Sequence, residues 1–101
     1  MKTTPFELTS AARLDLLQIW NYLAELASVD VADAMLSDLE SAMMKLSDRP
    51  GIGHRRDDIT RRDLRFYLVH RYFVIFRPDS VPLRITRVLH ASQNLKKIIK
   101  A

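Results

Sequence analysis

The sequence predicts a small α+β domain in which an antiparallel helix hairpin packs on one face of a mostly antiparallel, twisted sheet. Two neighbouring segments of the first half carry apolar residues at helical spacing, and three short segments of the second half alternate as strands do. A Pro-Gly break at 50–51 separates the two halves. The predicted order is β-α-α-β-β-β, followed by a short C-terminal helix. With 101 residues, the chain 1–101 is predicted to form a single domain.

The N-terminal segment is predicted to begin with a strand at 4–8, where Pro5 favours an edge position or a strand start. Thr9 or Ser10 can then cap a helix, because a hydroxyl accepts a hydrogen bond from a free N–H group of the first turn. This helix carries one apolar stripe, at the spacing that buries a single helical face. The stripe consists of Leu16, Ile19, Trp20, Leu23 and Ala27.

A second helix follows a break in the apolar pattern at 28–30, and Asp30 is its predicted N-cap. Pro50 and Gly51 end the helix. Its apolar positions again follow a helical period: Ala32, Met35, Leu36, Leu39, Ala42, Met43 and Leu46. Because only two or three residues connect the two helices, we expect them to be antiparallel neighbours.

The second half begins with an irregular segment at 49–63, which holds five arginines and three aspartates and lacks an apolar period. It is predicted to be a solvated loop. The predicted strands are 64–69, 72–76 and 83–90, with turns at 69–71 and 78–80. Arg87 falls in the apolar phase of the last strand and interrupts its alternation. Residues 91–100 are predicted to form a short basic helix.

The sheet face opposite the helices is predicted to be open, because so short a chain leaves only its terminal segment to cover that face. The residues expected to line this open face are Arg65, Tyr67, Arg84, Thr86 and His90.

Charge is unevenly distributed along the chain, whose formal net charge is +4. Residues 1–50 hold four basic and eight acidic residues, whereas residues 51–101 hold twelve basic and four acidic ones. Eleven of the sixteen basic residues are arginines, which suit bidentate contact with carboxylates and phosphates. The second half should therefore attract an acidic partner, either a nucleic acid or an acidic protein segment.

Several classes of site are not expected. The chain has no cysteine, and its three histidines show no metal-ligand spacing, so neither a disulfide nor a metal site is predicted. No nucleotide-binding fingerprint is present, and we expect no cofactor. No apolar run approaches the ~20 residues of a membrane span, and the N-terminus lacks a secretory hydrophobic region. The expected location is therefore the cytoplasm.

Two groups of side chains are candidate functional residues, and each has a second interpretation. Arg61, Arg62 and Arg65 either keep a loop soluble or form a rim of guanidinium groups that docks acidic groups. His90, at the end of the last strand, is either a proton donor or acceptor near neutral pH or a hydrogen-bond partner of the terminal helix.

The segments PGIG (50–53), RYFVIFR (71–77) and RVLH (87–90), taken with the element order, resemble the ParE/RelE superfamily of bacterial toxins from type II toxin–antitoxin systems. The chain is more similar to the ParE-like branch, and the resemblance covers 6–95. It implies a cytoplasmic toxin that inhibits growth and stabilises plasmids. It also implies a hetero-oligomer with a cognate ParD-like antitoxin, whose acidic C-terminal segment helps to hold the toxin inactive.

The resemblance leaves two mechanisms open. RelE-like members cleave messenger RNA on the ribosome with a lysine- and arginine-rich strand region and a C-terminal tyrosine, or with a glutamate, arginine and histidine set. This chain has no lysine between Lys45 and Lys96, no glutamate after Glu40 and no tyrosine after Tyr72. If it were a ribonuclease, its catalytic residues would be His90, Arg65 and Arg87.

ParE-like members instead inhibit DNA gyrase, and cleaved DNA complexes accumulate. We favour this binding activity over catalysis. Contact with the target or the antitoxin is expected from Arg61, Arg62, Arg65, Arg77, Arg84, Arg87, His90, Lys96 and Lys97. A third interpretation is a basic nucleic-acid-binding protein without toxicity, whose affinity would fall steeply with salt.

Overall fold

The fold was analysed in a computed structural model that describes residues 5–99. Its elements are β1 (Phe6–Leu8), α1 (Ser10–Leu26), α2 (Val29–Asp48), a 3-10 turn (Pro50–Ile52), β2 (Arg65–Val69), β3 (Tyr72–Arg77), β4 (Leu83–His90) and α3 (Leu95–Ile99). The predicted α+β class and element order are confirmed. The predicted start of the first strand at Thr4 and the predicted end of the last helix at Lys100 lie outside the described residues.

Both long helices begin at a hydroxyl cap. Thr9 Oγ1 accepts a hydrogen bond from the Ala12 N–H at 3.1 Å, so Thr9 is the cap of α1, one of the two residues predicted for that position. The prediction that Asp30 caps α2 is wrong, because Ser28 Oγ accepts the Val31 N–H at 3.1 Å. Asp30 lies in the first turn of α2, where a negative charge is favoured by the helix dipole.

The sheet has the strand order β1-β4-β3-β2. The central strands are antiparallel to their neighbours in the β2–β3 and β3–β4 pairs, whereas β1 runs parallel to β4. β1 is short and pairs only with the first part of β4, from Phe6 opposite Leu83 to Leu8 opposite Ile85. The second part of β4 therefore has α1, and no strand, along its outer edge.

A β-bulge explains why Arg87 interrupts the alternation of β4. Phe76 pairs with Ile85 while the adjacent Ile75 pairs with Arg87, so Thr86 is the extra residue. The Thr86 hydroxyl donates a hydrogen bond to the Ile75 carbonyl at 3.0 Å. The bulge lets Ile85 and Val88 both pack towards the helices, although three positions separate them.

Apolar side chains pack on both faces of the sheet. The helix-side core is formed by Ala12, Ile19, Leu39, Met43, Leu46, Tyr72, Val74, Phe76, Leu83, Ile85 and Val88. The opposite face carries a second cluster of Ile59, Leu64, Phe66, Ile75, Leu89, Leu95 and Ile99. The second cluster arises because residues 49–63, which were predicted to be a solvated loop, cross this face and bury Ile59 there. We call these residues the crossing segment. α3 adds Leu95 and Ile99.

The expectation of an open face lined by Arg65, Tyr67, Arg84, Thr86 and His90 is therefore wrong. Tyr67 packs on the helix side, where its hydroxyl accepts a hydrogen bond from Lys45 at 3.3 Å. His90 lies beside Tyr72 of the helix-side core. Part of the far face near Arg84 remains accessible. Among residues 5–99, no helix is both long enough and apolar enough to cross a bilayer.

Gly53 provides a test of how tightly the crossing segment packs. A Cβ atom at this position would lie 2.4 Å from Cζ and 2.7 Å from Cε1 of the Phe76 ring, which is fully buried. We expect Gly53→Ala to lower the free energy of unfolding by about 1–3 kcal/mol, because the ring has no room to move. Urea denaturation measures this loss. Gly51→Ala is the control, since a Cβ there meets no atom within 4 Å. Equal stability of the two variants would contradict the prediction.

Candidate functional site

The accessible part of the far face forms a pocket of about 330 Å³. Four guanidinium groups line it, and we call it the arginine pocket: Arg62, Arg77, Arg84 and Arg87. Its remaining lining consists of small, hydroxyl-bearing and apolar residues, namely Thr9, Ala11, Leu64, Ile75, Thr86, Ile98 and Ile99. No carboxyl, imidazole, amine or phenol group belongs to this lining within residues 5–99.

Strand register brings three of the four arginines together. Arg77 of β3 and Arg84 of β4 are direct cross-strand partners, so their side chains leave the same face side by side. Arg87 follows on β4 after the bulge. Arg62 reaches the pocket from the crossing segment. Its backbone N–H donates a hydrogen bond to Thr60 Oγ1 at 3.1 Å. The crossing segment, β3 and β4 thus supply one cationic site.

Two of the four guanidinium groups have a carboxylate partner. Arg84 pairs with Glu7 at 3.1 Å, and both side chains are about half exposed. Arg87 donates two hydrogen bonds to the Asp15 carboxylate, at 2.8 and 2.9 Å. These hydrogen bonds raise the pKa of the Arg87 guanidinium, which therefore stays charged. Within residues 5–99, Arg62 and Arg77 have no ion-pair partner, so they are the free charges of the pocket.

Asp15 also completes the edge of β4. Its Oδ2 atom accepts the Val88 N–H at 2.9 Å, which is the bond that a longer β1 would otherwise make. Gln93 Oε1 accepts the next outward-pointing N–H, that of His90, at 2.9 Å. Sequence reasoning missed Asp15. The available signal was its position on the buried face of α1 between Ala12 and Ile19, where an unpaired carboxylate is costly.

A larger groove of about 780 Å³ lies between α1 and the end of β4. Its walls include polar and aromatic side chains from both elements, from the start of β3 and from the turn before α3, namely Gln18, Tyr22, Tyr72, Arg87, His90 and Gln93. His90 Nδ1 accepts the Ser92 N–H at 3.0 Å, and the His90 ring meets the Tyr72 ring edge-on at 5.1 Å. His90 thus holds the turn that leads into α3, in line with the second of its two interpretations.

The three residues that a ribonuclease would use are not assembled. Arg65 lies on β2, where it pairs with Asp63 at 2.8 Å, and it lines neither of the two cavities. Arg87 reaches the groove that His90 lines, but its guanidinium is held by Asp15. No group of three histidine or carboxylate side chains that could hold a metal ion occurs within residues 5–99.

His90 lines the groove, and the other predicted contact residues separate into three places. Arg62, Arg77, Arg84 and Arg87 share the arginine pocket, and Arg61 is an exposed neighbour of Arg62 in the crossing segment. Arg65 is tied to Asp63 and is the cross-strand partner of Phe76, whose side chain lies in the helix-side core, so Arg65 does not share the far-face surface of Arg61 and Arg62. Lys96 and Lys97 are exposed on α3, next to the buried Leu95.

Because α3 has one buried and one basic face, point substitutions can separate its structural role from a role in contact with the target or the antitoxin. We expect Leu95→Ala to lower the free energy of unfolding by about 2–3 kcal/mol, since Leu95 is only 6% exposed. Lys96→Ala/Lys97→Ala should leave stability within about 0.5 kcal/mol. Thermal denaturation measures both effects. A destabilised lysine variant would show that the basic face is structural as well.

Comparisons with known proteins agree with this architecture. Residues 6–95 match the family model for the ParE toxin of the type II toxin–antitoxin system, parDE. Toxin ParE1 of Caulobacter vibrioides is 29% identical over 92 residues, covering 91% of this chain and 94% of the relative. Toxin ParE3 of the same organism is 33% identical over 81 residues, covering 80% of each.

The fold is also similar to a solved structure. A chain of the structure described as "Chromosomal ParDE TA system from P. aeruginosa" superposes with a TM-score of 0.73 at 18% identity. The match covers 86% of this chain and 95% of that one, so it extends over most of the α+β architecture.

Proposed function

The chain belongs to the ParE toxin family of type II toxin–antitoxin systems, and from that premise we propose that it inhibits DNA gyrase and is neutralised by a cognate antitoxin. The proposal has two parts, a target and a regulator, and each draws on a different surface of the molecule. The runner-up function is ribosome-dependent cleavage of messenger RNA.

One observation carries the choice between these functions. The arginine pocket offers four guanidinium groups, and within residues 5–99 its lining contains no histidine, carboxylate, lysine or tyrosine. Cleavage of RNA through its 2′-hydroxyl requires a group that takes a proton and a group that returns one. Arginine does neither, because it stays protonated at every physiological pH. His90, the one histidine considered for this role, lines the groove and does not line the arginine pocket. The pocket therefore favours binding over catalysis.

Neutralisation by an antitoxin is supported by the positive charge of the second half of the chain and by exposed apolar side chains in its first half. An amphipathic antitoxin segment would place acidic groups near the arginines and apolar anchors on the helix hairpin. Leu14 and Leu17 of α1 are each more than half exposed, and they offer such anchors one helical turn apart. The expected complex is a hetero-oligomer.

The test measures both activities with the same purified protein. DNA supercoiling and accumulation of cleaved DNA are followed with purified gyrase, and message cleavage is followed on translating ribosomes. We expect loss of supercoiling with cleaved DNA accumulating, and intact messages. Adding the cognate antitoxin should restore supercoiling.

The chain itself supplies a control for the runner-up function. His90→Gln keeps a hydrogen-bonding side chain near Ser92 but cannot exchange protons near neutral pH. Under the gyrase proposal this variant retains full inhibition. Codon-specific message cleavage by the natural protein, lost in His90→Gln, would replace gyrase inhibition with the runner-up function.

A further inference from the structure

We propose that the arginine pocket binds the phosphodiester backbone of DNA. The proposal rests on the proposed function and deepens it, because it assigns to this pocket the DNA that gyrase holds. The toxin would then contact the nucleic acid of the gyrase–DNA complex in addition to the protein.

The first argument is the uncompensated charge. Arg77 and Arg84 are direct cross-strand neighbours, and like charges in that position destabilise a sheet. Arg62 adds a third guanidinium at the same pocket. Within residues 5–99, Arg62 and Arg77 have no carboxylate partner, and the Arg84–Glu7 pair is exposed, where such pairs contribute little. An anion in the pocket would remove this repulsion.

The second argument is that the hydroxyl groups of the pocket are already hydrogen-bonded within the protein, so the guanidinium groups are the main groups available to a ligand. The Thr9 hydroxyl donates to the Thr86 carbonyl at 2.7 Å and accepts the Ala12 N–H. The Thr86 hydroxyl donates to the Ile75 carbonyl at 3.0 Å. A ligand in the pocket would therefore be bound by the guanidinium groups, whose paired N–H donors match the oxygens of a phosphate. Such a site positions a backbone and carries no base specificity.

The third argument is the length of the cationic row. Because of the bulge, Arg84 and Arg87 lie opposite Arg77 and Ile75, which are two residues apart on β3, and this corresponds to about 7 Å at 3.3 Å per strand residue. A nucleic-acid strand carries one charge every ~3.4 Å along its axis, so the row faces about two phosphates at once. An acidic protein segment carries its charges on flexible side chains and loses more rotamer entropy when it aligns them with the row. The fixed spacing of a phosphate backbone is therefore the better match.

Binding to DNA can be measured without gyrase. Fluorescence anisotropy of a labelled duplex of arbitrary sequence is recorded between about 50 and 200 mM salt, where backbone contacts show their salt dependence. We expect binding to the natural protein, and an affinity at least about tenfold lower for Arg62→Ala/Arg77→Ala, together with a salt slope smaller by about 2. Arg13→Ala/Arg49→Ala is the matched control, because both residues are exposed and lie outside the pocket lining. The two substitutions remove the same amount of charge as Arg62→Ala/Arg77→Ala.

Three results would overturn the proposal. The first is that the natural protein does not bind the duplex at the lowest salt. The second is that both double variants lose affinity equally, which would indicate net charge alone. The third is that a polyglutamate peptide binds in an Arg62- and Arg77-dependent way where DNA does not, which would assign the pocket to an acidic protein. DNA binding with normal supercoiling would refute gyrase inhibition and leave the DNA site standing, so the two proposals fail separately.

Discussion

Replacing Asp15 by alanine is expected to lower the free energy of unfolding by about 3 kcal/mol, the largest effect of any single polar substitution proposed for this chain. Asp15 is 5% exposed and accepts three hydrogen bonds, two from Arg87 and one from the Val88 N–H. Alanine leaves a partly buried guanidinium and a buried backbone donor without their partner. Chemical denaturation of the purified variant measures the loss.

Two further substitutions separate the contributions of Asp15. Asp15→Asn keeps an acceptor for the Val88 N–H but loses the charge that pairs with Arg87, so its stability should be intermediate. Glu7→Ala removes a carboxylate from an exposed pair with Arg84 and should cost no more than about 0.5 kcal/mol. If Asp15→Ala and Glu7→Ala proved equally stable, the assigned role of Asp15 at the β4 edge would be wrong.

The sequence was sufficient for the architecture because the architecture depends on local periodicity. The apolar stripes of α1 and α2 and the alternation of the three consecutive strands are visible within single segments. The second core was not predictable in the same way. Ile59 is an isolated apolar residue in a charged segment, and its burial depends on the path of that segment across the sheet. No local period records such a path.

The same distinction applies to the candidate site. All four pocket arginines were among the predicted contact residues, since the excess of arginine in the second half is visible in the composition. Their grouping was not predicted, because it depends on the register that sets Arg77 opposite Arg84 and on the bulge that turns Arg87 to the same face. Arg65 looked equivalent to Arg62 in sequence, yet Asp63 pairs with it outside the pocket.

Reversing the two free charges of the arginine pocket is expected to abolish growth inhibition. Arg62→Glu/Arg77→Glu changes the pocket by four charge units and replaces attraction for an acidic surface by repulsion. The concentration that inhibits gyrase should rise by at least about 100-fold, since like-charge contacts at an interface cost several kcal/mol. Plating efficiency after induction and the supercoiling assay measure the effect.

Folding should be preserved in this variant, because Arg62 and Arg77 are exposed and have no ion-pair partner within residues 5–99. An unchanged unfolding transition therefore distinguishes a lost contact from a lost fold. Arg13→Glu/Arg49→Glu carries the same change of charge on exposed sites outside the pocket lining and should remain toxic. Full toxicity of the pocket variant would exclude the arginine pocket as the surface that meets the target. Loss of toxicity in both variants would instead mean that the overall positive charge guides the encounter, because long-range attraction depends on net charge more than on position.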